Sequence, residues 1–463
     1  MKWNRSFISL SLLLMAPFFV STAGKESSTP CLVTIFVHGT LKPAEVSLST
    51  LHHVVHSQKS LKATLYSRTL EYMRSNPYLF RNTATQGLGL AYIDPVEGVC
   101  KAGSQTLREL FEVQHVFYHT PIATRRYYTF GWDGTLSLSR RLEEARRFYD
   151  ALEKEVAHLR KQHLKPLIHI IGYSHGGNVA LNLARIKEER DPASSFSVEQ
   201  LVLLATPIQR ETDYLVAHTD FFKKVYLFYS TEDSVQTSDM FSTKKEVFSR
   251  HRFTNHSQLA IPPTLTQVRF RLTRAIKRSS FLSDPDATPE MILEEKRIQC
   301  LHMDPGHVEF WNLQWGSYWY RPNLPLSPLP VLAFVPAITH LLQEYVPDAP
   351  FVTFDYCPSV HGARIILKKA RDALAVPVLS QAIVDAMKGL VDVCVPSDFS
   401  LEEQQRQEYL ALKQAHRSLK QRANKKTRQR LATSYYDLAR KLWPHQFPQF
   451  QEIDHRHLLG TQI

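Results

Sequence analysis

Pro166-Leu167-Ile168-His169-Ile170-Ile171-Gly172-Tyr173-Ser174-His175-Gly176-Gly177-Asn178-Val179-Ala180-Leu181-Asn182-Leu183-Ala184-Arg185-Ile186 is the stretch on which the reading turns. Its first six residues are short, apolar and rich in β-branched side chains, as a buried strand requires. Its last nine are mostly good helix formers. Between them stands Gly-x-Ser-x-Gly, which at a strand-to-helix junction is the pattern of a nucleophile elbow. So sharp a turn leaves no room for side chains two residues before and two after the serine. It lifts the Ser174 hydroxyl above the sheet and sets a helix N-terminus behind it, where backbone N–H groups face a developing oxyanion.

Working outward, Leu32-Val33-Thr34-Ile35-Phe36-Val37 is a continuous apolar run of the kind buried on both faces of a parallel sheet, and it ends in His38-Gly39-Thr40. Arg126–Phe130, Gln200–Thr206 and Lys224–Tyr229 read as further strands, and residues 139–162 as an amphipathic helix with Leu142, Ala145, Phe148, Leu152, Val156 and Leu159 on one face. Alternating strands and helices predict an α/β fold with a mostly parallel, doubly wound sheet. Val268–Leu272 alternates and predicts a half-exposed or edge strand. Beyond the prolines at 322–336, helices are expected at 336–345, 361–375, 377–390 and 401–442.

The chain has 463 residues, enough for one large core or two domains. Residues 1–23 read as a cleaved export signal: Lys2 and Arg5, then an apolar run from Phe7 to Val20, then Ser21-Thr22-Ala23. That places the mature protein outside the cytoplasm. The five cysteines are scattered, with no close pair of the metal-binding kind, and their pairing is open. Cys31 fits a small buried apolar residue. Net charge is +12, and residues 401–441 concentrate it, with eleven Lys or Arg against four Asp or Glu. Two readings of this basic helix stay open: it packs on the rest of the protein through its leucine stripe, or it touches an anionic membrane surface. An exported chain makes nucleic acid a poor partner.

An acid and a histidine follow the serine in the chain order that this kind of site uses. Asp233 lies just past the strand ending at Tyr229, with Glu232 as its near competitor and Asp213 as a distant one. His307 lies on a Pro-Gly turn, with His302 as the runner-up. The backbone N–H groups of Thr40 and His175 are the expected oxyanion donors. The imidazoles of His38 and His175 are expected to serve local hydrogen bonding.

Together, His38-Gly39-Thr40, the elbow at 172–177, Asp233 and His307 resemble the α/β-hydrolase superfamily, in the style of serine esterases and lipases. The resemblance covers about residues 31–320. It implies a catalytic domain over 24–320 with an insertion at 41–122, and ester hydrolysis through an acyl-enzyme on a small-molecule or lipid ester. No metal or organic cofactor is implied. Residues 321–463, expected as a helical C-terminal region, lie beyond the family's usual end. An amidase or peptidase on the same fold, and a non-catalytic lipid- or partner-binding protein, remain as alternatives.

Overall fold

The computed structural model describes residues 28–40, 83–96, 100, 102–135, 137–190, 196–237, 248–275, 300–313, 329–359, 362–369, 372–375 and 378–394. The expected export signal at 1–23, residues 41–82 of the expected insertion and the expected basic helix at 401–442 lie outside the described residues.

The described strands are β1 (Thr29–Val37), β2 (Gly89–Tyr92), β3 (Thr124–Gly131), β4 (Leu164–Tyr173), β5 (Val198–Leu204), β6 (Val225–Tyr229), β7 (Leu265–Ala275), β8 (Cys300–Met303), β9 (Phe351–Ser359), β10 (Gly362–Lys369), β11 (Asp372–Ala375) and β12 (Val378–Ser380). They form one sheet in the order β11-β10-β9-β7-β6-β5-β4-β1-β3-β2, with β12 on β10 and β8 on β7. The seven strands from β9 to β3 are parallel to one another. Antiparallel strands flank them, β2 at one end and β10 to β12 at the other. The expected mostly parallel α/β sheet is therefore what the chain forms.

Alternate residues of the central strands face two different helix layers. Ile168, Ile170, Leu201, Leu203, Val225 and Leu227 share a core with α2 (Leu138–Lys161) and α3 (His175–Arg190). Ile171, Val202, Leu204, Tyr226 and Phe228 share another with α1 (Gly103–Phe117), α5 (Val335–Tyr345) and α6 (Gln381–Cys394). Burial on both faces explains why these strands read as unbroken apolar runs. Cys31 is buried in the same way, and burial pushes its thiol pKa up.

Two expectations are corrected. β7 is not an edge strand; it lies between β6 and β9. Val268, Phe270 and Leu272 enter the core, while Arg269 and Arg271 alternate with them because Asp304 pairs with both. The half-exposed part of that expectation holds, since both arginines are partly exposed on the salt-bridged face. Residues 361–375 form β10 and β11 instead of a helix. Ala, Arg, Leu and Lys gave that segment a helical composition, but Ile365, Ile366 and Leu367 are all buried beside β9, which a strand between two layers allows. The 321–463 region is thus helical only in part, since β9 extends the central sheet. α5 matches its expected bounds, and α6 begins a few residues later than expected.

His115 on α1 and His169 on β4 both have pKa values lowered to about 4. Burial is the main cause for each, followed by Arg125 for His115 and by His115 for His169. The unfolded chain binds protons on both near pH 6.5, and the folded one does so only near pH 4. Their neutral state therefore costs nothing above about pH 6.5, and stability falls as pH drops from there toward 4, by up to about 1.4 kcal/mol per pH unit for each proton. Denaturant unfolding at pH 7, 6 and 5 should show a shallower slope for His169→Gln than for the parent.

Candidate active site

In a parallel sheet every strand delivers its C-terminal end to the same edge. β1 brings His38-Gly39-Thr40 there, β4 brings Ser174, and β6 brings Asp233. Ser174 is the turn between β4 and α3, and its φ of +51° lies in the left-handed region that non-glycine residues seldom occupy. Two bonds hold it: its N–H donates to the Leu204 carbonyl at 2.9 Å, and its carbonyl accepts from Gly177 N–H at 3.0 Å. A Cβ on Gly172 would stand 2.6 Å from the Gly177 Cα, and one on Gly176 would strike the carbonyl oxygens of Val37 and His38. The glycine spacing thus lets β4, α3 and the end of β1 meet.

His307 approaches from the far side of the edge. The chain leaves β8 at Met303, and Asp304 accepts from the Thr231 hydroxyl at 2.7 Å, Arg269 Nη2 at 3.0 Å and Arg271 Nε at 3.3 Å. These bonds pin the loop to the end of β6 and the middle of β7. Three residues later, His307 Nε2 lies 2.9 Å from Ser174 Oγ, and His307 Nδ1 lies 2.7 Å from Asp233 Oδ2. A carboxylate only accepts, so Nδ1 carries the proton and Nε2 offers its lone pair to the serine hydroxyl. Asp233 is 1% exposed, and its other oxygen accepts from the Gln236 N–H at 3.0 Å. Gln236 belongs to the short helix α4 (Ser234–Thr237), and its side chain donates to the carbonyls of Thr206 and His251.

The competing residues lie elsewhere. Glu232 is exposed. Asp213 is buried against Arg250 and His256. His302 is in β8, in register with Thr273.

Gly39 packs directly on Ser174; a Cβ there would stand 2.7 Å from Ser174 Cβ. The Thr40 backbone follows on that same loop, and its Oγ1 is buried without a hydrogen-bond partner. His175 is the first residue of α3, where helix geometry aims N–H groups outward along the axis. His38 does local work: Nδ1–H donates to the Gly39 carbonyl at 2.7 Å, Nε2 accepts from Trp132 N–H at 3.2 Å, and the ring stacks on Trp132. That use of both nitrogens holds the loop after β1 against the end of β3.

No protein-family model matches this chain, and no curated protein does either. The geometry stands on its own residues.

Sequence reading missed Tyr173. Its ring stacks on Trp311 (centroids 5.0 Å apart), sits 4.9 Å from the His307 ring and lies against Gly39, and its hydroxyl donates to the His307 carbonyl at 3.1 Å. One side chain therefore braces both the histidine and the loop after β1. The only signal for it was an aromatic residue directly before the serine. Asp304 was visible in Asp-Pro-Gly-His but had no partner until the arginines of β7 were placed.

Burial would raise the Asp304 pKa, but the bonds from Thr231 and Arg269 and the charges of Arg269 and Arg271 hold it below the usual carboxylate range. The stabilisation is complete above the ordinary carboxylate pKa and is lost as pH falls through the lowered one. Asp304→Ala leaves two guanidiniums without their acceptor, and at neutral pH denaturant unfolding should register a loss of roughly 1.5–3 kcal/mol. The deficit should shrink under acid conditions where Asp304 is protonated in the parent.

Proposed function

We propose that this protein is a serine hydrolase of the α/β-hydrolase kind that cleaves carboxylic esters through an acyl-enzyme. The observation that carries the reading is the unbroken chain Ser174 Oγ, His307, Asp233, at 2.9 and 2.7 Å, set on a strained turn at the carboxyl edge of a parallel sheet. Ordinary packing has no need of a buried serine held in left-handed backbone with its hydroxyl on an imidazole.

In the first half-reaction Ser174 Oγ attacks the ester carbonyl while His307 Nε2 takes its proton. Asp233 holds the Nδ1 proton and stabilises the imidazolium. The backbone N–H groups of His175 and Thr40 hold the oxyanion. The tetrahedral species then expels the alcohol, which receives the proton from Nε2. Water, deprotonated by the same nitrogen, attacks the acyl-serine and releases the carboxylic acid and the free enzyme. Every step runs on side chains and backbone of this chain together with water. On the reading of residues 1–23 as an export signal, the ester is met outside the cytoplasm.

A fluorophosphonate should label the native protein at Ser174 and leave Ser174→Ala unlabelled. With p-nitrophenyl esters of increasing chain length, removing Ser174, His307 or Asp233 should lower kcat by about three to six orders of magnitude. Labelling of Ser174→Ala at the native rate would overturn the reading. Tyr173 acts as a positioning residue. Tyr173→Phe keeps the ring stack and should cost little, whereas Tyr173→Leu frees the His307 loop and should lower kcat by about tenfold to a hundredfold with little change in KM.

A further inference from the structure

Behind the catalytic acid of the proposed triad lies a second cavity, about 560 Å³, that the hydrolytic chemistry does not use. Its wall is formed by the end of β6, the middle of β7 and the segment 249–254. Among its lining residues are Arg250, Arg252, Arg269, His251, Thr231 and Thr254, and none of the described lining residues is acidic.

The acids that belong to these arginines stand behind the wall. Asp213, with a fully buried side chain, pairs with Arg250 and also with His256. Asp304, 5% exposed at its side chain, is shared between Arg269 and Arg271. Asp304 therefore faces two guanidiniums and Asp213 a guanidinium and an imidazole, and each fixes a guanidinium in place from behind. Arg252 is exposed. The arginines also order the hydroxyls: Arg250 Nη1 donates to Thr254 Oγ1 at 2.7 Å, and Arg269 Nη2 donates to Thr231 Oγ1 at 2.9 Å.

We propose that this cavity binds a phosphoryl group. Planar guanidiniums held from behind, hydroxyls between them and an excess of positive charge suit a multivalent, tetrahedral oxyanion better than a neutral ligand. The site also touches the triad, since His251 Nε2–H donates to the Asp233 carbonyl at 3.0 Å and the His251 carbonyl accepts from Gln236. The phosphoryl group would come either from a free phosphate or from a lipid headgroup.

Isothermal titration of the full chain with inorganic phosphate, against chloride at equal ionic strength, tests the site without any turnover, so it stands or falls apart from the hydrolase reading. Saturable binding is expected, weakened by about tenfold or more in Arg252→Gln. Arg252 is exposed, so that variant should keep the parental melting temperature. Arg269→Lys keeps a charge near Asp304 but replaces the planar guanidinium with a single ammonium, and it should also weaken binding. Heats equal to those of chloride, or phosphate affinity unchanged in Arg252→Gln, would overturn the proposal. Flotation with phosphatidylglycerol vesicles separates the sources. Flotation that free phosphate displaces and Arg252→Gln loses supports a headgroup; phosphate binding with no flotation supports a free anion.

Discussion

Most of this structure is arranged around one crowded junction, the tip of β4. There a serine takes a left-handed backbone so that the chain can pass from strand to helix within a single residue. The strain is local, and the contacts that hold it come from two other segments. Leu204 accepts the serine N–H, the end of β1 lies against Gly176, and Gly39 lies against the serine itself. None of these approaches would survive a side chain in place of those glycines. The same close packing brings the loop after β1 to the serine, where two N–H groups can converge on one point.

The sheet supplies the rigidity that this junction needs. Each central strand is covered on both faces, by α2 and α3 on one side and by α1, α5 and α6 on the other. Loops leaving such strands start from fixed positions, so short hydrogen-bonded turns suffice to aim a side chain. Asp233 is aimed by α4, through the Gln236 backbone. His307 is aimed by a different device, a buried carboxylate three residues upstream that is tied to two arginines of β7. Tyr173 and Trp311 then fill the space beneath the imidazole.

Charge placement at the carboxyl edge follows a consistent rule. Asp213, Asp233 and Asp304 are all buried, and each pairs with a guanidinium or imidazole that comes from another segment. Buried carboxylates are expensive when left without a partner. They turn loops that would otherwise wander into parts of the scaffold, and they leave the arginine heads at the surface of the neighbouring cavity.

The sequence by itself determined the elements whose information is local. Continuous apolar runs marked β1, β4, β5 and β6, and heptad-like spacing marked α2. The Gly-x-Ser-x-Gly spacing marked the elbow, because the turn's sterics act within five residues. Chain order, with the strand end before Asp233 and the Pro-Gly turn at His307, singled out both residues, and the fold brings His307 to Ser174 and Asp233 to His307. What only the tertiary structure decided depended on partners far away in the chain. Ile365 to Leu367 became a strand because β9 offered an edge, overriding a helical composition. Arg269 and Arg271 could alternate in an interior strand because Asp304 neutralises them. The bracing by Tyr173 appeared only once Trp311, Gly39 and His307 were assembled around its ring. Local sterics and periodicity are written along the chain, whereas pairing between distant side chains exists only after the sheet has brought their strand ends to one edge.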